Sequence, residues 1–353
     1  MKNIGIVTIN DDDNYGNRLQ NYAVQEFFRK ENINPLTLKN RPIRNTKDKY
    51  ILRVLKDYIK KILKRPSRAF EERRKNFAKF NENIKFSEKE INAYSKISDQ
   101  FDFFVTGSDQ VWNPNFGRLR DVDLLEFAKT EQRIAFSASF GISELPENCK
   151  EKAKRELENF KAISVREDRG KEIVEELTER KDVQVLVDPT MLLTSEEWDK
   201  VEKKPEQLKT DKYILNYFLG EMSEKRKKEI ERIAKENNCE IINILDKNSP
   251  FYQTGPSEFL YLEKNAFLIC TDSFHSSVFA ILYNRPFVVF DREDANVKMN
   301  SRLDTLLKKF KLENRWYEDK ITEEQLQVDY KESYMILEGE RKKAKEFLEN
   351  AIK

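Results

Sequence analysis

The sequence predicts an α/β protein in two halves, each built on a parallel sheet. Three observations carry this. Short runs rich in β-branched and aromatic residues alternate with longer amphipathic stretches, the pattern of strands joined by crossover helices. The alternation occurs twice, on either side of Asp188-Pro189-Thr190. The chain has 353 residues, more than one core ordinarily serves, and 24 phenylalanines are enough to fill two.

The expected strands are Ile4–Ile9, Phe103–Thr106, Ile134–Ser137, Ile163–Val165 and Val183–Val187 in the first half. Ile214–Phe218, Ile241–Leu245, Phe267–Thr271 and Phe287–Phe290 follow in the second. The expected helices are Leu19–Lys30, Glu151–Phe160, Gly170–Glu179, Met222–Glu236, Ser276–Tyr283 and Ser301–Phe310, with a long charged helix over Glu332–Ile352. Pro189 disfavours the helical conformation at Asp188, so the boundary is placed there, dividing 1–187 from 188–353. Two Rossmann-like halves of this kind face a cleft, and ligands gather at the carboxyl ends of their strands.

Charge narrows the function classes. Both signs are abundant but the net charge is only +2, which does not make a field suited to nucleic acid. One segment departs from this balance: a basic insertion over about 41–80. Within it Ile51, Leu52, Leu55, Ile59, Ile62 and Leu63 recur at helical spacing beside Lys56, Lys60, Lys61 and Lys64. Such a helix either packs on the sheet with its lysines in water or rests on an anionic membrane surface. Tyr50, Tyr58 and Phe70 are too few to stack nucleic-acid bases. Cys149, Cys239 and Cys270 form no CxxC pair, which fits a reducing compartment, and a cytoplasmic setting is expected. The first residues read as a strand rather than a signal peptide, and no apolar run approaches the length of a membrane span.

Chemistry is expected at strand ends. After Thr271, Asp272 and Ser273 form a turn and a helix opens near Ser276, so backbone N–H groups at a helix start favour an anion. Ser276 and Ser277 add hydroxyl donors. His275, the sole histidine, can give and take a proton near neutrality. After Thr106, Gly107 lets a backbone approach, Ser108, Asp109 and Gln110 can bind hydroxyls, and Trp112 offers a face to a sugar ring. The loop after the first strand holds Asn14, Tyr15, Gly16, Asn17, Gln20 and Asn21, whose amides suit sugar hydroxyls. The neighbouring acidic triplet Asp11-Asp12-Asp13 is expected to lie in water rather than on a metal. Arg166 follows a strand and can grip a carboxylate or phosphate, and Arg302 supplies a cation at another helix start.

These pieces in this order resemble the polysaccharide pyruvyl transferase family. The resemblance rests on Asn14–Asn21, Thr106–Trp112, Ser164–Glu167, Asp188–Thr190 and Thr271–Ser277, and runs from the first strand to about Leu307. It implies a GT-B-like fold, phosphoenolpyruvate as donor, a sugar or lipid-linked glycan as acceptor, and a role in cell-envelope or exopolysaccharide assembly. Carried over, it makes His275 the general acid/base and Arg166 the anion clamp, with Asp109 able to take a proton. Neither a cofactor nor a metal is implied. The chain departs from the family's usual pattern at Ser273, where many members have Arg, and at Ser276, where they have Gly. Two other readings compete: a GT-B glycosyltransferase using a nucleotide sugar, and a glycan-binding relative without catalysis.

Overall fold

The computed structural model describes residues 1–10, 13–40, 67–293 and 301–353. In the first half the strands are β1 (Asn3–Val7), β2 (Asn34–Lys39), β3 (Phe86–Glu90), β4 (Phe103–Thr106), β5 (Arg133–Ala138), β6 (Ala162–Val165) and β7 (Gln184–Val185). They form one parallel sheet in the order β3-β2-β1-β4-β5-β6-β7. In the second half β8 (Tyr213–Tyr217), β9 (Glu240–Asn243), β10 (Leu268–Thr271) and β11 (Phe287–Val289) form a parallel sheet ordered β11-β10-β8-β9.

The nine expected strands form, Phe103–Thr106 with the expected bounds and the other eight with shifted ends. Two further strands, β2 and β3, were not expected. Pro35 within β2 argues against a strand, and β3 (Phe-Ser-Glu-Lys-Glu) is a largely exposed edge with no apolar run to read. Three unexpected helices also form: Arg68–Phe80, Ser195–Asp199 and Pro256–Asn265. The Ile51–Lys64 stretch lies outside the described residues.

Parallel register puts the functional loops on one edge. Val7 pairs with Thr106 and Ala138 with Val165, so the loops after β1, β4, β5 and β6 leave the sheet side by side. Tyr217 pairs with Thr271, and Thr271 with Val289, which does the same for the second sheet. Between the sheets, Asp188 is extended before Pro189, and its carboxylate accepts the Thr190 N–H to open the turn Pro189–Leu192.

The halves pack on each other. Tyr15, on the helix Tyr15–Lys30, stacks on Phe259 at 4.6 Å and meets Tyr217 edge-on at 5.7 Å. The C-terminal helix Lys331–Ala351 returns across both. Phe347 stacks on Phe136 of β5, and Arg341 donates to the carbonyls of Met191 (2.7 Å) and Leu193 (2.8 Å). One continuous apolar cluster therefore runs from Ile4 to Ala351.

Candidate functional site

The site forms where the two strand-end edges meet, and Asp188 is its centre. One oxygen, Oδ1, accepts from the Thr190 backbone N–H (3.0 Å) and hydroxyl (2.7 Å). The other, Oδ2, accepts from Arg166 Nη1 at 2.7 Å and lies 2.9 Å from the Ser108 hydroxyl. His275 Nε2 stands 3.6 Å from the same Oδ2, just beyond hydrogen-bond distance. Arg166 and His275, 109 positions apart, thus converge on one carboxylate oxygen. Burial raises the Asp188 carboxyl, but the charges of His275 and Arg166 and the Thr190 amide outweigh it and hold the group well below the usual carboxylate range.

Arg166 is also shared with Asp109, whose Oδ1 accepts from Nη2 at 3.2 Å. Asp109 Oδ2 accepts from the Asn17 amide. Burial raises the Asp109 carboxyl too, yet Arg166, His275 and Arg302 together keep it below its ordinary value. The Arg166 guanidinium lies 4.3 Å from the Phe274 ring centroid, and its side chain is 1% exposed. Arg166, expected as an anion clamp, thus has Nη1 and Nη2 on two fixed carboxylates, while its Nε is buried without a hydrogen-bond partner among the described residues.

The helix Phe274–Leu282 carries His275 at its first turn. The imidazole lies against Gly16, where a Cβ would come within 2.1 Å of Nδ1, so a side chain there would displace the ring. His275 Nε2 is buried without a hydrogen bond among the described residues. Asp272 accepts the Leu219 and Gly220 N–H groups (2.7 and 2.8 Å) and the Arg292 guanidinium (3.2 Å), which fixes the turn before the histidine. Arg302, in the first turn of the helix Ser301–Phe310, is buried, and its Nε has no hydrogen-bond partner among the described residues. Burial and the neighbouring charge of Arg166 push its guanidinium down to about 10.

Several expected ligand contacts are spent inside the fold. Trp112 is fully buried on Phe140 and Phe160 and donates its indole N–H to the Asp123 carbonyl, so it offers no face to a sugar. Ser276 bonds Glu263 (2.6 Å), and Ser277 donates to the Ser273 carbonyl, so neither hydroxyl faces an anion. Asn14 caps the first helix by accepting the Asn17 N–H. Gln20 donates to Thr8 Oγ1 and accepts the Ser108 N–H, Asn21 accepts the Thr37 hydroxyl, and Gln110 accepts the Asn113 amide. These amides bind loops together instead of sugar hydroxyls. The reason is shared: strand-end loops crowded between two sheets must satisfy their own buried polar groups first. Gly107 has φ +115° and would drive a Cβ to 2.2 Å from the Phe136 carbonyl, so its role is close backbone packing. Ser273 leaves its side chain out of the cap.

Reading by sequence missed Asp188 as a site residue and Arg73 altogether. Arg73, on Arg68–Phe80, is buried and donates to the Tyr15 hydroxyl (2.5 Å) and to the carbonyls of Asp13, Tyr252 and Thr254. It ties the Gly16 loop to the second half. The Asp-Pro-Thr motif signalled the first; nothing local signalled the second.

The sequence model of the polysaccharide pyruvyl transferase family matches residues 14–294, most of the chain. The chain belongs to this family. No curated protein matches it in sequence. Among solved structures, one from Listeria monocytogenes named as a UDP-N-acetylglucosamine 2-epimerase is similar at 9% identity and TM-score 0.50, covering 98% of this chain and 90% of that one. The UDP-GlcNAc 2-epimerase of Methanocaldococcus jannaschii, in complex with UDP-GlcNAc and UDP, aligns at 15% identity and TM-score 0.48, covering 96% and 93%. At such identities the likeness concerns fold alone, and this pyruvyl transferase family member has two parallel-sheet halves in a GT-B-like arrangement. None of its described helices is long and apolar enough to cross a membrane.

Proposed function

We propose that the chain transfers the pyruvyl group of phosphoenolpyruvate to two hydroxyls of a sugar, forming a ketal on a surface glycan or its lipid-linked precursor. The observation that carries this is the buried imidazole of His275 beside the Asp188 carboxylate, with the buried cation Arg302 in the same charge cluster. Arg302 and the first N–H groups of the Phe274 helix hold the donor's carboxylate and phosphate. Arg302 here serves the role that an Arg at position 273 has in many relatives.

Doubly protonated His275 gives a proton to the methylene carbon, leaving an oxocarbenium-like centre at C2. A sugar hydroxyl attacks C2 and its proton passes to the neutral imidazole. Phosphate leaves, taking the proton of the second hydroxyl as that oxygen closes the ketal. Asp188 faces Nε2 with a full negative charge while the ring is cationic. Asp109 is held ionised by Arg166 and Asn17, which makes it a weak base, so the hydroxyl proton returns to His275.

The test is thermal unfolding with phosphoenolpyruvate against a panel of nucleotide sugars. At about a hundred times its dissociation constant a ligand adds roughly 2.7 kcal/mol. Stabilisation by phosphoenolpyruvate and none by nucleotide sugars supports the reading; the reverse makes the chain a glycosyltransferase.

A lipid-linked acceptor would bring the enzyme to the cytoplasmic face of the membrane. The composition of Ile51–Lys64 supports peripheral contact with anionic lipid. Each lysine near such a surface is worth about 1 kcal/mol at low salt. Co-sedimentation with phosphatidylserine vesicles should be lost at high salt and on replacing Lys56, Lys60, Lys61 and Lys64 by Gln. Sedimentation unchanged by that replacement would count against the contact.

A further inference from the structure

A cavity of about 510 Å³ lies in the second half at the carboxyl ends of β8 and β9, and none of its lining residues belongs to the His275 site. Its size suits a small ligand. Alternation along β8 puts Ile214, Asn216 and Phe218 on one face, where Ile214 packs with Ile230 and Ile233 of the helix Glu224–Glu236. Asn216 is the polar residue in this apolar row. It is 7% exposed, and its side chain makes no hydrogen bond among the described residues, with Oδ1 buried and unpartnered. A buried amide left so is costly unless a ligand completes it. Its register partner on β9 is Asn243, whose Oδ1 accepts the Leu245 and Asp246 N–H groups, which leaves its NH₂ group unspent.

The lining chemistry selects the ligand. Glu221, Glu231 and Asp246 outnumber Lys227, so a phosphate-rich ligand is repelled. Carboxylates and amides together bind hydroxyls, while Ile230, Ile241 and Leu245 offer apolar walls to ring C–H groups. We propose that this cavity holds an uncharged sugar ring, a unit of the acceptor glycan remote from the one that is modified. The proposal rests on the reading of the chain as a glycan-modifying enzyme. The cavity is tied to the catalytic turn: the N–H of Gly220, on its wall, is held by Asp272, three residues before His275.

The test uses saturation-transfer NMR on the full chain with free N-acetylglucosamine, galactose and lactose, and with uridine monophosphate as the charged probe. At least one neutral sugar binds, with a dissociation constant on the order of 1 mM. Asn216→Ala weakens it about three- to tenfold. Ile241→Trp, at a position 39% exposed on the rim and so unthreatening to the fold, abolishes it. Phosphoenolpyruvate does not displace it. No sugar signal, a signal that survives Ile241→Trp, or uridine monophosphate binding that Ile241→Trp abolishes overturns the proposal. Sugar binding that meets these expectations while phosphoenolpyruvate fails to stabilise the protein sinks the pyruvyl-transfer reading instead.

Discussion

A single atom-scale contact sets the position of the imidazole. Gly16 supplies the wall against which His275 rests, and a Cβ there would sit 2.1 Å from Nδ1 and 2.5 Å from Cε1. Gly16→Ala must therefore push the ring from its place beside Asp188. Misplacement of a reacting group by an ångström costs about a hundredfold in rate. We expect Gly16→Ala to lose at least that factor in phosphate release while melting close to the parent; near-parental turnover would show that the observed imidazole position is not the working one. Arg166 acts at the same scale in another way. Removing it would leave Asp109 and Asp188 as two buried charges facing each other, a cost of roughly 3–5 kcal/mol, so loss of activity in its variants reports on folding as much as on chemistry.

Two packed helices hold the turn at His275 in place. Pro256–Asn265 places Glu263 against Ser276 of the histidine-bearing helix, at 2.6 Å and fully buried. Burial pushes the Glu263 carboxyl well above its ordinary value, and the Ser276 bond offsets this only in part. The folded state thus binds this proton more tightly than the unfolded chain. Its contribution to stability is whole below the unfolded value, about 4.3, and is lost as pH rises. Gln keeps the shape of the neutral acid. The stability gap between Glu263→Gln and the parent, from urea unfolding, should be small near pH 4 and grow in favour of the variant by up to about 1.4 kcal/mol per pH unit. A gap that grows the other way would mean the acid is ionised in the fold. Elements differ in how openly the sequence announces them. β4 and β10 are buried on both sides and read as apolar runs, whereas β3 is a polar edge and the apolar residues of Pro256–Asn265, Phe259 to Leu262, are consecutive and so show no helical stripe.

At the scale of the molecule, the two halves work as one because residues distant in sequence bridge them. Arg73 bonds the Tyr15 hydroxyl and the carbonyl of Asp13 on one side and the carbonyls of Tyr252 and Thr254 on the other. Arg73→Ala takes a donor from the buried Tyr15 hydroxyl and Thr254 carbonyl, which then keep only each other and the Thr254 hydroxyl, a loss of roughly 1–3 kcal/mol. The melting temperature should fall by about 5 °C or more, and kcat should fall with it because the Gly16 loop loses its anchor. Arg73→Lys should recover part of both. A variant that melts and turns over like the parent would remove the latch from the account.

The sequence by itself determined the two-sheet α/β architecture, the strand-end turns that meet at the site, among them the one before His275, and the family, because these rest on local periodicity and on motifs whose residues are neighbours in the chain. Only the tertiary structure decided how the motif residues are spent. Which partner a buried polar side chain meets depends on the other half of the molecule. Arg166 therefore turns out to be neutralised by Asp109 and Asp188, Trp112 is core, and the amides of Asn14, Gln20 and Gln110 hold loops together. Asp188 became the centre of the site for the same reason: Thr190 is its neighbour in sequence, but Ser108, Arg166 and His275 reach it only when three strand ends and a helix start are brought to one edge.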